Sequence, residues 1–249
     1  MHCFDWTYAQ IKEELPNIAA VGFSAVQTSP AHPREPVGAA WYMLCQPYDY
    51  KVGENGLGTK EGLTELCTEA HQYGVKIIVD VVANHTNGSL SYVASFWQDK
   101  SLYHDYQGGI DYSNRWQVTH GRLGMWDLKT EDSRVQEKIK EYVAELKSCG
   151  VDGIRWDAAK HIGLPSEGDT FWQNVPDQTM YNYGEILDGT GGNDTVSEKV
   201  EVVSQTTGVQ LHPVAGESSA KAMIYNLQGQ RVDANYRGVV VCNGRKYVQ

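Results

Sequence analysis

From the N-terminus to Ile186, short apolar runs alternate with segments whose apolar residues recur every three or four positions, the signature of repeated β/α units. His2 to Phe4 reads as the stump of a first strand. The helix after it covers YAQIKEELPNIAAVG with Ile11, Leu15 and Ile18 on one face, and Pro16 is expected to end or bend it early. GFSAVQTSP predicts a second strand. TKEGLTELCTEAHQYG predicts a helix with Leu63, Leu66, Cys67 and Ala70 at helical spacing and Gly74 closing it. VKIIVDVVANH is apolar almost throughout, as expected of a central parallel strand covered on both faces.

Residues 86–126 break this rhythm: they are polar, aromatic and Gly-rich, and too long for an ordinary βα loop, so they predict a functional excursion. Order resumes in EDSRVQEKIKEYVAELKSCG, where Val135, Ile139, Val143 and Leu146 stripe a helix that Asp132 or Ser133 can cap. VDGIRWD and MYNYGEI predict the fourth and fifth strands. A complete (β/α)8 barrel takes about 250 residues by itself. The expected class is therefore α/β, an incomplete TIM-type (β/α) barrel of about five to six parallel strands over residues 1–193. Residues 194–249 switch to short alternating runs and turn dipeptides such as Asn243-Gly244, which predicts a linker and a small β tail. A sheet with an open edge also predicts a homo-oligomer that covers it.

Composition narrows the partners. The net charge of −10 and pI near 5.2, without clustered Lys or Arg, argue against nucleic acid and anionic membranes. No run is long enough to span a bilayer, and MHCFDWTYAQ lacks the charged and apolar regions of a signal peptide. Seven Trp and fifteen Tyr against four Phe favour flat rings with a polar handle, which suits carbohydrate, although half-buried core aromatics explain most of them. The five cysteines are widely spaced, with no CxxC pair and no His cluster at metal spacing, so neither a zinc site nor a dense disulfide frame follows.

Candidate chemistry sits where strands end. The third strand closes with Asp80, Asn84 and His85, the fourth with Arg155, Asp157, Lys160 and His161, and the fifth with Glu185. In a parallel β/α sheet these ends share one edge, so the side chains converge. Asp157 and Glu185 are the two carboxylates that glycoside hydrolysis needs, one to attack or activate and one to protonate the leaving oxygen. Arg155, two residues before Asp157, points to the same side of its strand and can keep that carboxylate ionised. Taken singly, each carboxylate could equally be a helix cap or a surface charge.

DVVANH (Asp80–His85), GIRWDAAKH (Gly153–His161) and YGEI (Tyr183–Ile186) resemble, in order, the first three signature segments of the α-amylase family, glycoside hydrolase family thirteen. The likeness runs from about His2 to Asp188, some three-quarters of the chain. It implies a retaining mechanism on α-1,4-glucans such as starch or maltooligosaccharides, with Asp157 as nucleophile and Glu185 as general acid and then base. It also implies that Arg155 orients Asp157, that His85 contacts the sugar at the cleavage point, and that Lys160 and His161 line the leaving-group side. WYMLCQP resembles the family's sugar platform, which makes Trp41 and Tyr42 stacking residues and Gln46 a hydrogen-bonding one. Read alone, Trp41 is an ordinary loop aromatic. The resemblance further implies calcium, held by Asn84, Asp127 and the carbonyl of His161, a set of oxygen ligands suited to a hard cation; read alone, Asp127 is a cap for the following helix.

Two departures bear on activity. Cys45 stands where these enzymes usually place a sugar-stacking tyrosine. The fourth signature segment, a strand ending in His-Asp, does not follow Glu185, and Asp194 in GGNDT is a poor substitute. The family's aspartate there stabilises the transition state, so two readings stand: a shortened α-amylase of reduced activity, or a starch-binding remnant without turnover. The tail sequence IYNLQGQRV with RGVVVCNGRKYV resembles the C-terminal sorting module of proteins exported by Bacteroidetes-type bacteria, which implies a secreted or cell-surface protein.

Overall fold

The structure is a computed structural model that describes residues 1–34 and 40–186, together with the backbone of 224–226, 231–232, 239–242 and 245–248. Five strands form a parallel sheet whose spatial order follows the chain: β1 (His2–Cys3), β2 (Ala25–Thr28), β3 (Lys76–Val81), β6 (Gly153–Trp156) and β7 (Tyr181–Gly184). Strands that add in chain order, each after a helical crossover, are the plan of a (β/α) barrel. The sheet is an incomplete TIM-type barrel, as the sequence pattern predicts.

The helices bury the faces that their periodicity selects. The first, α1 (Tyr8–Ala20), buries Tyr8, Ile11, Leu15 and Ile18; Thr7 caps it, accepting from the Gln10 amide. The second, α2 (Lys60–Gln72), buries Leu63, Leu66, Cys67 and Ala70 behind the Thr59 cap. Pro16 neither ends nor shortens α1, contrary to expectation. It lies on the exposed face, so the carbonyl that loses its donor can be hydrated, while Leu15 and Ile18 on either side stay packed.

The excursion leaves the barrel through β4 (His85–Thr86) and returns through β5 (Trp126–Asp127), an antiparallel pair in the register His85↔Asp127. Between them α3 (Arg115–His120) is the one α-helix among the described residues. The excursion's buried side chains Val93, Trp97, Leu102 and Tyr103 join the core of the barrel. Trp97 donates its indole N–H to Asp49 at 3.0 Å and meets Tyr50 edge-on at 4.8 Å, and the Tyr103 hydroxyl donates to the Trp97 carbonyl at 2.6 Å. Asp132, rather than Asp127, caps the next helix, α4 (Ser133–Ser148). A short helix α5 (Phe171–Asn174) precedes β7. In the tail, β8 (Ile224–Asn226), β9 (Arg231–Val232), β10 (Val239–Cys242) and β11 (Arg245–Val248) form an antiparallel sheet in the order β11-β10-β8-β9, with β10 and β11 pairing across Asn243-Gly244. Asp194 and the junction at 193–194 lie outside the described residues.

Candidate active site

Parallel register places four charged groups at one edge of the sheet. Asp80 pairs in register with Arg155, and Arg155 with Tyr183, so Asp157 and Glu185 emerge one step beyond on neighbouring strands. Arg155 Nη1 donates to Asp80 Oδ1 and to Asp157 Oδ1, each at 2.7 Å, and Nη2 reaches Glu185 Oε1 at 2.5 Å. One guanidinium thus binds three carboxylates from three strands. Burial opposes the charge on Arg155, but its three anionic neighbours overcome that and push its pKa up. Burial pushes the Asp80 carboxyl up, Asp157 and Glu185 push it further, and Arg155 opposes them. Three carboxylates around one cation carry excess negative charge, so the cluster favours keeping a proton among them.

Two local features shape this edge. Ala158, directly after Asp157, sits in the left-handed region at φ 49°, and its amide faces Glu185 Oε2 at 3.4 Å. A non-glycine residue there stores about 1 kcal/mol of strain, which turns the chain sharply beneath the carboxylate. Gly184 is required where β7 passes that turn, because a Cβ at this position would lie 2.6 Å from the Ala159 Cβ.

The remaining predicted residues surround the cluster. His85 is buried; its Nε2–H donates to the Cys45 carbonyl at 3.1 Å, while Nδ1 has no hydrogen-bond partner among the described residues. Burial lowers its pKa against the opposing pull of Asp157, so the ring is neutral with Nδ1 as a bare acceptor. Gln46 accepts from the Asn87 amide at 3.1 Å. Trp41 and Tyr42 are 59% and 48% exposed and meet at 6.0 Å, and Phe4 extends the aromatic row, 5.9 Å from Trp41. Phe4 is absent from the sequence reading, since only its position after β1 brings it beside that loop. The Cys45 thiol is pushed up to about 11 by burial and by Asp157, so it is neither a nucleophile nor a stacking ring. Lys160 lies over the Tyr112 ring at 4.5 Å. His161 is buried, its Nδ1–H donating to the Val118 carbonyl at 2.7 Å, and burial drops its pKa to about 4.

The predicted metal ligands are brought together in part. Asn84 donates to Asp127 Oδ1 at 3.0 Å, and Asp127 is almost fully buried. The His161 side chain meets the Val118 carbonyl and the Tyr112 ring. Burial pushes Asp127 up to about 6 against the opposing pull of His104, so the site holds a desolvated carboxylate that a cation would stabilise. A buried carboxylate beside an amide oxygen fits a hard cation such as calcium.

Two features went unassigned in the sequence. Arg115 clamps the turn after β6, pairing with Glu167 at 2.7 Å and donating to the carbonyls of Lys160 and Ile162. His104, His120 and Glu131 also converge, with one ligand atom from each within 4.8 Å of the others. Separations of sixteen and eleven residues through irregular backbone carry no spacing signal that a motif search could find.

The fold and this edge together define a TIM-type half-barrel with a carboxylate-lined site at the strand ends. Comparison with known proteins narrows this. The alpha-amylase catalytic-domain model matches residues 7–237, and the chain belongs to that family. An alpha-amylase of Clostridium acetobutylicum is 39% identical over 220 residues, covering 80% of this chain and 29% of the relative. One from Butyrivibrio fibrisolvens is 29% identical over 248 residues, covering 83% and 25%. The chain therefore spans less than a third of the length of these relatives. Among solved structures, an alpha-amylase from Malbranchea cinnamomea superposes with a TM-score of 0.63 at 30% identity, covering 74% of this chain and 41% of that one. The maltohexaose complex of alpha-amylase I from Eisenia fetida has a TM-score of 0.68 at 23% identity over 78% and 45% of the two chains, a likeness of fold.

Proposed function

We propose that this chain is a retaining glycoside hydrolase acting on α-1,4-glucans such as starch and maltooligosaccharides. The observation that carries this reading is the grip of Arg155 on Asp157 and Glu185 at the ends of adjacent parallel strands. Asp157 attacks the anomeric carbon while Glu185 delivers its proton to the departing glycosidic oxygen. The covalent glycosyl–Asp157 ester is then hydrolysed by water, whose proton returns to Glu185. Arg155 holds the nucleophile aimed through its 2.7 Å bond. His85 contacts the sugar at the cleavage point, and Trp41 and Tyr42 supply flat faces for neighbouring rings with Gln46 beside them. Lys160 and His161 belong to the leaving-group side. The relatives named alpha-amylase and the neighbour solved with maltohexaose support this substrate class.

Asn84, Asp127 and the His161 carbonyl would hold calcium, whose charge would pin the excursion to the barrel. The division at 193–194 separates this catalytic unit from a β tail, and the sorting-module likeness of that tail supports a secreted or cell-surface location. A second copy of the chain would cover the open sheet edge. The missing His-Asp segment after Glu185 predicts a slow enzyme.

Asp157→Asn and Glu185→Gln should each lower reducing-sugar release from starch by about a thousandfold, ~4 kcal/mol of transition-state stabilisation. If both match the unsubstituted protein, the hydrolase reading is wrong. Maltooligosaccharide binding without turnover in all three proteins would assign the binding-remnant reading instead.

A further inference from the structure

We propose that His104, His120 and Glu131 form a binding site for a borderline divalent transition metal, zinc by donor type, separate from the strand-end carboxylates and from the Asn84–Asp127 pair. One ligand atom from each of the three residues lies within 4.8 Å of the other two. The hydrogen bonds around them decide which atoms those are. His104 Nδ1–H donates to Asp127 Oδ2 at 2.6 Å, so its remaining nitrogen, Nε2, faces Glu131 Oε1 at 3.1 Å. The Nδ1 of His120 meets the Trp116 carbonyl at 3.1 Å. The Thr119 hydroxyl also meets this nitrogen, at 2.9 Å, so Nδ1 is engaged in either tautomer and Nε2 is the nitrogen left to face a metal. Trp116 stacks on the His120 ring at 4.7 Å and fixes its plane, and the two imidazoles lie 4.1 Å apart.

Each imidazole is thus oriented by a hydrogen-bond partner on its outer nitrogen, the arrangement that sets ring geometry and raises ligand basicity at zinc sites. Two imidazole nitrogens and one carboxylate oxygen, with water as the fourth ligand, form a tetrahedral set suited to zinc and poorly suited to calcium, which takes oxygen donors. Ligands about 2.1 Å from zinc stand roughly 3.4 Å apart. Glu131 Oε1 already stands 3.1 Å from His104 Nε2, and its 41% exposed side chain can turn to complete the set. On binding, the metal takes the Nε2 lone pair of His104 and the proton there leaves to solvent. The three ligands come from the excursion's outgoing limb, from α3 and from the approach to α4; the Tyr103–Leu128 bridge already joins the first and last of these, and the metal would tie α3 to them.

The test uses untagged full chain kept in excess calcium, titrated with zinc by calorimetry and with cobalt(II) by visible absorption. One equivalent should bind, with the intense cobalt bands of a four-coordinate site and a higher melting temperature. His120→Ala and Glu131→Gln should each weaken zinc at least tenfold, with the far-ultraviolet circular dichroism unchanged. If His120→Ala does not fold, Glu131→Gln decides, since it keeps the shape of the side chain and an acceptor for His104. Absence of saturable binding, or equal affinity in a folded variant, overturns the proposal. Neither result depends on starch hydrolysis.

Discussion

The strand-end cluster and the excursion cluster gather similar numbers of charged and imidazole groups by opposite means. At the sheet edge, Asp80, Arg155, Asp157 and Glu185 meet because parallel register offers them no alternative: once β3, β6 and β7 pair, their final residues face one another. In the excursion, His104, His120 and Glu131 meet on backbone with short elements alone: a six-residue helix, two 3-10 turns, a two-residue ribbon and the Tyr103–Leu128 bridge, braced by side chains such as Trp97 and Tyr103. Geometry imposed by a ladder withstands loss of a side chain. Geometry imposed by packing and polar contacts depends on each one.

The largest effect should come from breaking the strand-end cluster electrostatically. Arg155→Met leaves three partly or fully buried carboxylates facing one another and should cost about 3–5 kcal/mol of unfolding free energy in urea, with starch hydrolysis abolished. A loss under about 1 kcal/mol would falsify the idea that the guanidinium offsets the repulsion among carboxylates that the ladder holds together. A middle-sized effect belongs to the loop after β2. His32 is fully buried and neither ring nitrogen makes a well-formed hydrogen bond, although the Leu44 backbone favours the proton; burial drops its pKa to about 3. A histidine whose folded pKa is depressed stabilises the fold fully above its unfolded value of 6.5, and that contribution is lost as pH falls from 6.5 toward 3. At pH 5 its share should be about 2 kcal/mol. Denaturation at pH 7.5 and pH 5 should show this difference shrinking in His32→Gln. The smallest effect should be Trp41→Ala. Removing one exposed ring should raise KM for maltooligosaccharides about tenfold, ~1.4 kcal/mol, and leave kcat and the melting temperature nearly unchanged; a change in kcat alone would remove Trp41 from the binding surface.

Legibility followed the same division. All five parallel strands and the faces of α1, α2 and α4 can be read from the sequence because a fixed residue period ties position to direction. Asp157, Glu185 and Arg155 can be read for the same reason, each being placed by a strand. Asp80 is visible at a strand end, but its share of Arg155 depends on the pairing of β3 with β6, which no local pattern states. Pro16 misleads because a local rule about helix breaking says nothing of which face meets solvent. Phe4, Arg115 and the His104–His120–Glu131 group escape entirely. Their neighbours are set by loop trajectories, and loops have no period.

The bond from the Tyr183 hydroxyl to Gln27, at 2.6 Å, joins positions 156 apart, whereas the Arg155–Asp80 bond joins positions 75 apart. Doubling a closed loop adds only about 0.6 kcal/mol of chain entropy, so the longer closure is scarcely dearer than the shorter. Its consequence is one of timing. During synthesis the first three strands can assemble and the excursion can pack against them, but Gln27 waits for a partner that is made some hundred and fifty residues later. Until then the inner face of the nascent sheet is exposed, and this is the interval in which a chaperone or a second nascent chain would find it.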